Sequence, residues 1–140
     1  MTLRRFCRKE LVSLKPDDTA LQAAERMAEQ HVGAVVVVNA ENRPIGVLTD
    51  RDLTCRVMAA RKDPARTLVR EVMTSGVEVI DEGELVDAAL VQMRERGTRR
   101  LPIVDGTGAA VGIVTLDDLL VLLTAELGQT AQVIRQNRGP

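Results

Sequence analysis

A short phrase occurs twice in this chain. Gly46-Val47-Leu48-Thr49-Asp50-Arg51-Asp52-Leu53 returns as Gly112-Ile113-Val114-Thr115-Leu116-Asp117-Asp118-Leu119. Each copy is a glycine, a short apolar run, and then Thr-x-x-Asp-Leu opening a helix-like stretch. The glycines, and likewise the final aspartates, stand 66 residues apart. A constant offset between such phrases marks two copies of one structural unit, which restricts the fold more than any local propensity.

The residues around the phrase repeat in the same order. Leu11 to Leu14 reads as a short strand, closed by turn chemistry at Pro16-Asp17-Asp18. Thr19 or Asp18 can cap the next helix, where Ala20, Ala23, Ala24 and Met27 fall on one face. The run Val35 to Val38 is the pattern of a strand covered on both sides. A polar turn, Asn39 to Pro44, joins it to Ile45–Leu48 as an antiparallel hairpin. Thr49 then opens a helix to about Ala60, and Arg61-Lys62-Asp63-Pro64 is the linker. In the second copy Val77 to Ile80 is the strand, and Val86, Ala89, Leu90 and Met93 are the helical face. Leu101 to Val104 and Ala110 to Val114 form the hairpin. Pro102 lacks a backbone donor, which predicts an edge strand or a neighbouring bulge. Residues 1–10 show no periodicity and are expected to fray.

The last helix starts at Thr115 and is apolar around too much of its circumference for one core face, so part of it is expected to meet a partner. Gly128 is expected to weaken or end it. The reading is an α+β fold of two β-α-β-β-α repeats, at 8–66 and 67–127, with a tail at 128–140. A three-stranded sheet with two helices cannot bury both faces alone. Packing the repeats about a pseudo-two-fold axis solves that and sets the two Thr-x-x-Asp turns in equivalent clefts.

Composition removes several functions. A formal net charge of −1 supplies no field for a polyanion, and a single aromatic, Phe6, leaves little to stack on bases. The basic clusters Arg4 to Lys9 and Arg94 to Arg100 read first as solvated faces. Cys7 and Cys55 have neither metal nor disulfide spacing and read as small core residues of a reducing compartment. No apolar run is long enough to span a bilayer and no signal peptide is visible, so a cytoplasmic protein without membrane contact is expected. His31, the one histidine, reads as an exposed helix-end residue. No nucleophile, acid–base pair, metal cluster or Gly-rich phosphate loop suggests an enzyme.

Over nearly its whole length the chain resembles the tandem cystathionine-β-synthase-type (CBS) domain pair, or Bateman module. The resemblance is carried by Met27-Ala28-Glu29, Val32-Gly33-Ala34 with the valine run, Met93, Arg99 to Asp105, and the two phrases. It implies a regulatory binding module without a required cofactor. The ligands it implies are AMP, ADP or ATP, or alternatively S-adenosylmethionine. It further implies a homodimer and a regulated protein partner; nucleic-acid binding through the Arg94–Arg100 face is not expected, because the net charge is near neutral. By position, Thr49 and Thr115 would contact phosphate, and Asp52 and Asp118 the ribose hydroxyls. Val32, Gly33, Ala34, Val47, Thr98, Arg99 and Ile113 would lie against adenine. Val12 and Glu78 would complete the pockets from the opposite repeat.

The residues themselves suit those roles. A threonine at a strand end sits beside the free amides of a helix start, which favour an anion. The aspartate one turn on can accept from two vicinal hydroxyls. The same pattern is also close to a capping box, in which both side chains serve only the backbone. The clefts would then be empty, and the chain a structural dimerisation module. The copies are unequal: Arg99-Arg100 stands where repeat one has Gly33-Ala34. Arginine binds phosphate through charge-assisted pairs, so the Thr115/Asp118 cleft is expected to be the better anion site, with Arg51 partly compensating in the other.

Overall fold

The computed structural model of the protein describes residues 1–136. Its two halves are built alike. In the first, β1 (Ser13–Leu14) leads to α1 (Ala20–Gln30), the hairpin β2 (Ala34–Val38) and β3 (Pro44–Thr49), and α2 (Asp50–Leu53). A π-helical turn, Thr54–Met58, extends α2. A connector holds the short α3 (Val69–Val72) and β4 (Thr74–Ser75). The second half has β5 (Ile80–Asp81), α4 (Val86–Arg96), the hairpin β6 (Arg100–Val104) and β7 (Ala110–Thr115), and the long α5 (Leu116–Gln136). The mixed α/β architecture and both antiparallel hairpins are those the sequence predicts.

The sheets differ by one strand. The second is three-stranded, β5-β6-β7, but the first has the order β1-β2-β3-β4. The additional strand comes from the connector, which pairs antiparallel with Gly46 and Val47. The first strands are shorter than expected because parallel pairing covers only Ser13–Leu14 and Ile80–Asp81. Pro102 lies in the central strand of its sheet, not at an edge. It is tolerated there because β5 reaches only Ile103 and Val104, and the register shifts between those two residues.

Each half buries its own apolar cluster, and a third joins them. The alanine face of α1 packs with Leu14, Val35, Val37 and Leu48. Ala24 is exposed, so that face is narrower than its spacing suggests. The alternate valines, Val36 and Val38, turn the other way and meet Ala110 and Ile113 of the second half. All four valines from Val35 to Val38 are buried, because one face of β2 serves its own repeat and the other its neighbour. Thr19 caps α1 through a reciprocal pair with Gln22, at 3.1 and 2.8 Å.

Residues 1–10 do not fray. Leu3 is wholly buried in the second half's cluster, with Ile80, Leu101 and Leu119. Its amide bonds Glu84 O at 2.9 Å, and Val86 N bonds Met1 O at 3.1 Å. Cys7 bridges Gly112, and Arg8 N bonds Val111 O at 3.0 Å. The connector does the same for the first half: Val69 N bonds Asp18 O, Ala20 N bonds Thr67 O, and Val69 and Val72 enter that cluster. Leu3 and Val69 stand at the same 66-residue offset as the repeated phrase. Each repeat is thus finished by a strap that precedes the other one in the chain.

Two further expectations change. Helix α5 passes through Gly128 to Gln136, taking in most of the region assigned to a tail; residues 137–140 lie outside the described residues. One glycine costs about 1 kcal/mol relative to alanine, which a helix already propagating can absorb. Cys55 is exposed, not a core residue, and Cys7 is half-buried. No helix of the described residues is long and apolar enough to cross a membrane.

Candidate functional site

The repeated phrase ends at a helix start in both halves. Thr49 Oγ1 accepts from Asp52 N at 3.1 Å, and Thr49 N donates to Asp52 Oδ2 at 3.0 Å. The second copy has the same reciprocal pair, with both distances 3.1 Å between Thr115 and Asp118. Each Thr-x-x-Asp is therefore a capping box. What separates the copies is what remains free around them.

In the first copy the motif is closed in. Thr49 is 7% exposed, and Arg56, one turn along, lies 3.7 Å from the other oxygen of Asp52. The same guanidinium donates to Val72 O at 2.9 Å, which ties Asp52 to the connector strap. The position of Arg56 is occupied by Leu122 in the second copy. Among the described residues, Asp118 Oδ1 has no partner, and its carboxylate opens onto a cleft.

That cleft has a volume of about 980 Å³ and is lined from both halves. Thr115, Asp118 and Ile113 form one wall, with Arg99 and Arg100 where β6 begins. Val32, Gly33 and Ala34, between α1 and β2, face them with Val12 and Asp50. Gly33 sits close against the exposed Asp50 carboxylate, which would have to shift slightly to admit a side chain. A Cβ on it would come within 3.0 Å of Asp50 Oδ2, while Asp50 N bonds Gly33 O at 3.0 Å. Arg99 reaches Asp117 at 3.6 Å, across an exposed surface where such a pair contributes little.

Five of the expected site residues do not line this cleft. Thr49 and Asp52 belong to the closed motif. Val47 is buried in β3 opposite Val36. The Thr98 hydroxyl donates to Arg100 O at 3.0 Å and shapes the turn. Glu78 is 3.8 Å from Arg96 Nε.

The strap adds residues that periodicity could not find. Arg5, Phe6, Cys7, Arg8 and Glu10 all line the cleft. The Arg5 guanidinium lies 5.8 Å from the centre of the Phe6 ring, within cation–π range. Burial, with a smaller contribution from the Glu82 carboxylate and partial opposition from Arg4, pushes the Cys7 thiol above its ordinary range. The available signal was the offset itself, which sets Leu3-Arg4-Arg5-Phe6 against Val69-Arg70-Glu71-Val72. His31 also reaches the cleft. It is exposed as expected and caps α1 in the left-handed conformation, at φ 54°, where α4 has Gly97 at φ 64°.

Among the described residues no three His, Cys, Asp or Glu side chains come together as a metal site. The chemistry on offer is recognition: arginines interspersed with carboxylates, a free carboxylate oxygen, an apolar strand surface and a helix start.

Known proteins agree with this architecture. The family model for the CBS domain matches twice, over residues 3–58 and 69–125, and the chain belongs to that family as a tandem pair. It is 39% identical over 120 residues to an uncharacterized protein of Methanopyrus kandleri, covering 86% of this chain but only 61% of that one. The fold is shared with the CBS domain pair of protein MJ0100, solved in complex with 5-methylthioadenosine and S-adenosyl-L-methionine. The TM-score is 0.77 at 22% identity, over 90% of this chain and 98% of that one. It is shared also with CBSX2 in complex with AMP, at a TM-score of 0.70 and 24% identity, over 89% and 96%.

Proposed function

We propose that this chain is a cytoplasmic regulatory module that binds an adenine nucleotide in the cleft of Thr115 and Asp118. The observation carrying this reading is the convergence there of strap, first repeat and second repeat around a carboxylate with one free oxygen. Asp118 accepts from the ribose hydroxyls, and the Thr115 helix start and the arginines face phosphate. Ile113, Val32 and Ala34 supply apolar surface for the base. The complexes of MJ0100 and CBSX2 with adenosine compounds support the ligand class. The first copy is the weaker site, because Thr49 is buried and Arg56 lies beside the remaining oxygen of Asp52. Occupancy is relayed through a homodimer or a protein partner only if ligand favours one arrangement over another. The apolar residues Leu120, Val121 and Leu127, left exposed on α5, are the candidate contact.

A second reading has an observation of its own. Both Thr–Asp pairs are already satisfied as capping boxes, as a structural dimerisation module with empty clefts requires. Thermal unfolding with adenosine, AMP, ADP, ATP, S-adenosylmethionine and NAD separates the two. A true ligand at 100 times its dissociation constant adds about 2.7 kcal/mol of stability. No upward shift with any member of the panel would leave the structural reading standing alone.

A further inference from the structure

We propose that the N-terminal strap is a phosphate clamp: Arg5 and Arg8, with Arg100 across the cleft, select a ligand carrying two or three linked phosphates. This rests on the adenine-nucleotide reading above and names the ligand class within it.

The strap's backbone is held in place. Leu3 is wholly buried and its amide bonds Glu84 O, while the Arg8 amide and the bridge at Cys7 hold the strap to β7. Arg5 and Arg8 are therefore presented on one wall of the cleft by an anchored segment, and both line it with Arg100. Among the described residues none of these three guanidinium groups is paired with a carboxylate. Three of the four carboxylates in the cleft have partners: Asp117 the Arg99 guanidinium, and Asp118 and Asp50 the amides of Thr115 and Arg51, which leave their charge in place. Glu10 is the exception.

The fold does not require these charges. The connector strap, which does the same structural work for the first repeat, carries Glu71 and Thr74 at the equivalent positions. Where one scaffold carries arginines in one copy only, the arginines answer to something other than packing. Four arginines and four carboxylates line the cleft, so the local attraction for phosphate comes from Arg5, Arg8 and Arg100, which have no carboxylate partner among the described residues. At about 980 Å³ the cleft also reaches the upper end of the roughly 300–1,000 Å³ usual for small-molecule sites, which leaves room for an extended phosphate chain. S-adenosylmethionine, with a sulfonium cation and no phosphate, gains nothing from such a wall.

Titration calorimetry of the full chain with adenosine, AMP, ADP, ATP and inorganic triphosphate tests this, for the wild type, Arg5→Ala/Arg8→Ala and Arg8→Lys. Both side chains are exposed and Leu3 is untouched, so the fold survives; circular dichroism checks that. Affinity is expected to rise from AMP to ATP. Each arginine removed should cost ATP about tenfold while leaving adenosine unchanged, and Arg8→Lys should recover only part of the loss. Equal affinity for AMP and ATP, or a rise that persists in the double variant, overturns the clamp and leaves the adenine-nucleotide reading intact. If no nucleoside compound binds, that reading fails, and inorganic triphosphate then decides the clamp: binding lost in the double variant supports it, and no binding overturns it.

Discussion

The two copies of Thr-x-x-Asp share their hydrogen bonds to within 0.1 Å yet sit in different chemical surroundings. In the first, Arg56 lies 3.7 Å from the half-buried aspartate and the threonine is buried. In the second, the carboxylate faces a cleft bordered by Arg99, Arg100 and the arginines of the strap. Identical hydrogen bonding within the motif therefore does not bring identical surroundings. A capping box fixes the backbone at a helix start, and the neighbours decide whether the remaining oxygen atom has anything left to do.

The contrast can be broken at its strongest point first. Leu3→Ala removes a fully buried side chain from the second repeat's core and should lower unfolding free energy by about 3 kcal/mol in urea titration. Val69→Ala, its counterpart in the connector, should cost less because fewer atoms are removed. A loss below 1 kcal/mol for Leu3→Ala would mean the strap is not part of that core.

Next in size, Asp118→Asn should weaken nucleotide binding about tenfold or more, whereas Asp52→Asn should leave the same isotherm nearly unchanged. If Asp52→Asn is the more damaging change, the assignment of open and closed copies is reversed.

The smallest effect concerns the thiols. Cys55 is exposed and should react with a thiol reagent at neutral pH well before Cys7, whose raised pKa keeps it protonated until the solution is more alkaline. Raising the pH should narrow the difference between them. Bound nucleotide should slow Cys7 further, since Cys7 lines the cleft, and leave Cys55 alone. Equal rates for the two thiols at neutral pH would contradict the half-buried strap.

Much of the fold was legible because period and offset reinforce one another. The valine run has the pattern of a doubly covered strand, and Ala20, Ala23, Ala24 and Met27 have the spacing of a helix face, of which all but Ala24 are buried. The N-terminal strap was not legible by periodicity. A single turn anchored by one leucine has no repeat of its own to detect, and its partner strap had to be matched to it across the chain. Gly128 misled for a related reason: local cost was weighed without the helix on either side. At the candidate site, the family resemblance pointed to Thr115 and Asp118 and also to Thr49 and Asp52, which lie outside the cleft, while the unequal residues of the two copies pointed to Arg99 and Arg100. Arg5, Phe6 and Arg8 came from a segment that shows no pattern of its own.

The sequence by itself determined that this chain is a pair of like units, each with a Thr-x-x-Asp turn at a helix start, because those features depend on contacts close along the chain. The contrast of Arg99-Arg100 with Gly33-Ala34 already set the copies apart in the sequence, and only the tertiary structure decided which motif is closed over and which opens onto a cleft. The closure of Asp52 involves Arg56 and a carbonyl of the connector strap, and the openness of Asp118 faces a wall assembled from residues as distant as Arg5 and Arg100. Side-chain availability is set by which segments fold back over a site, and a local motif does not record that.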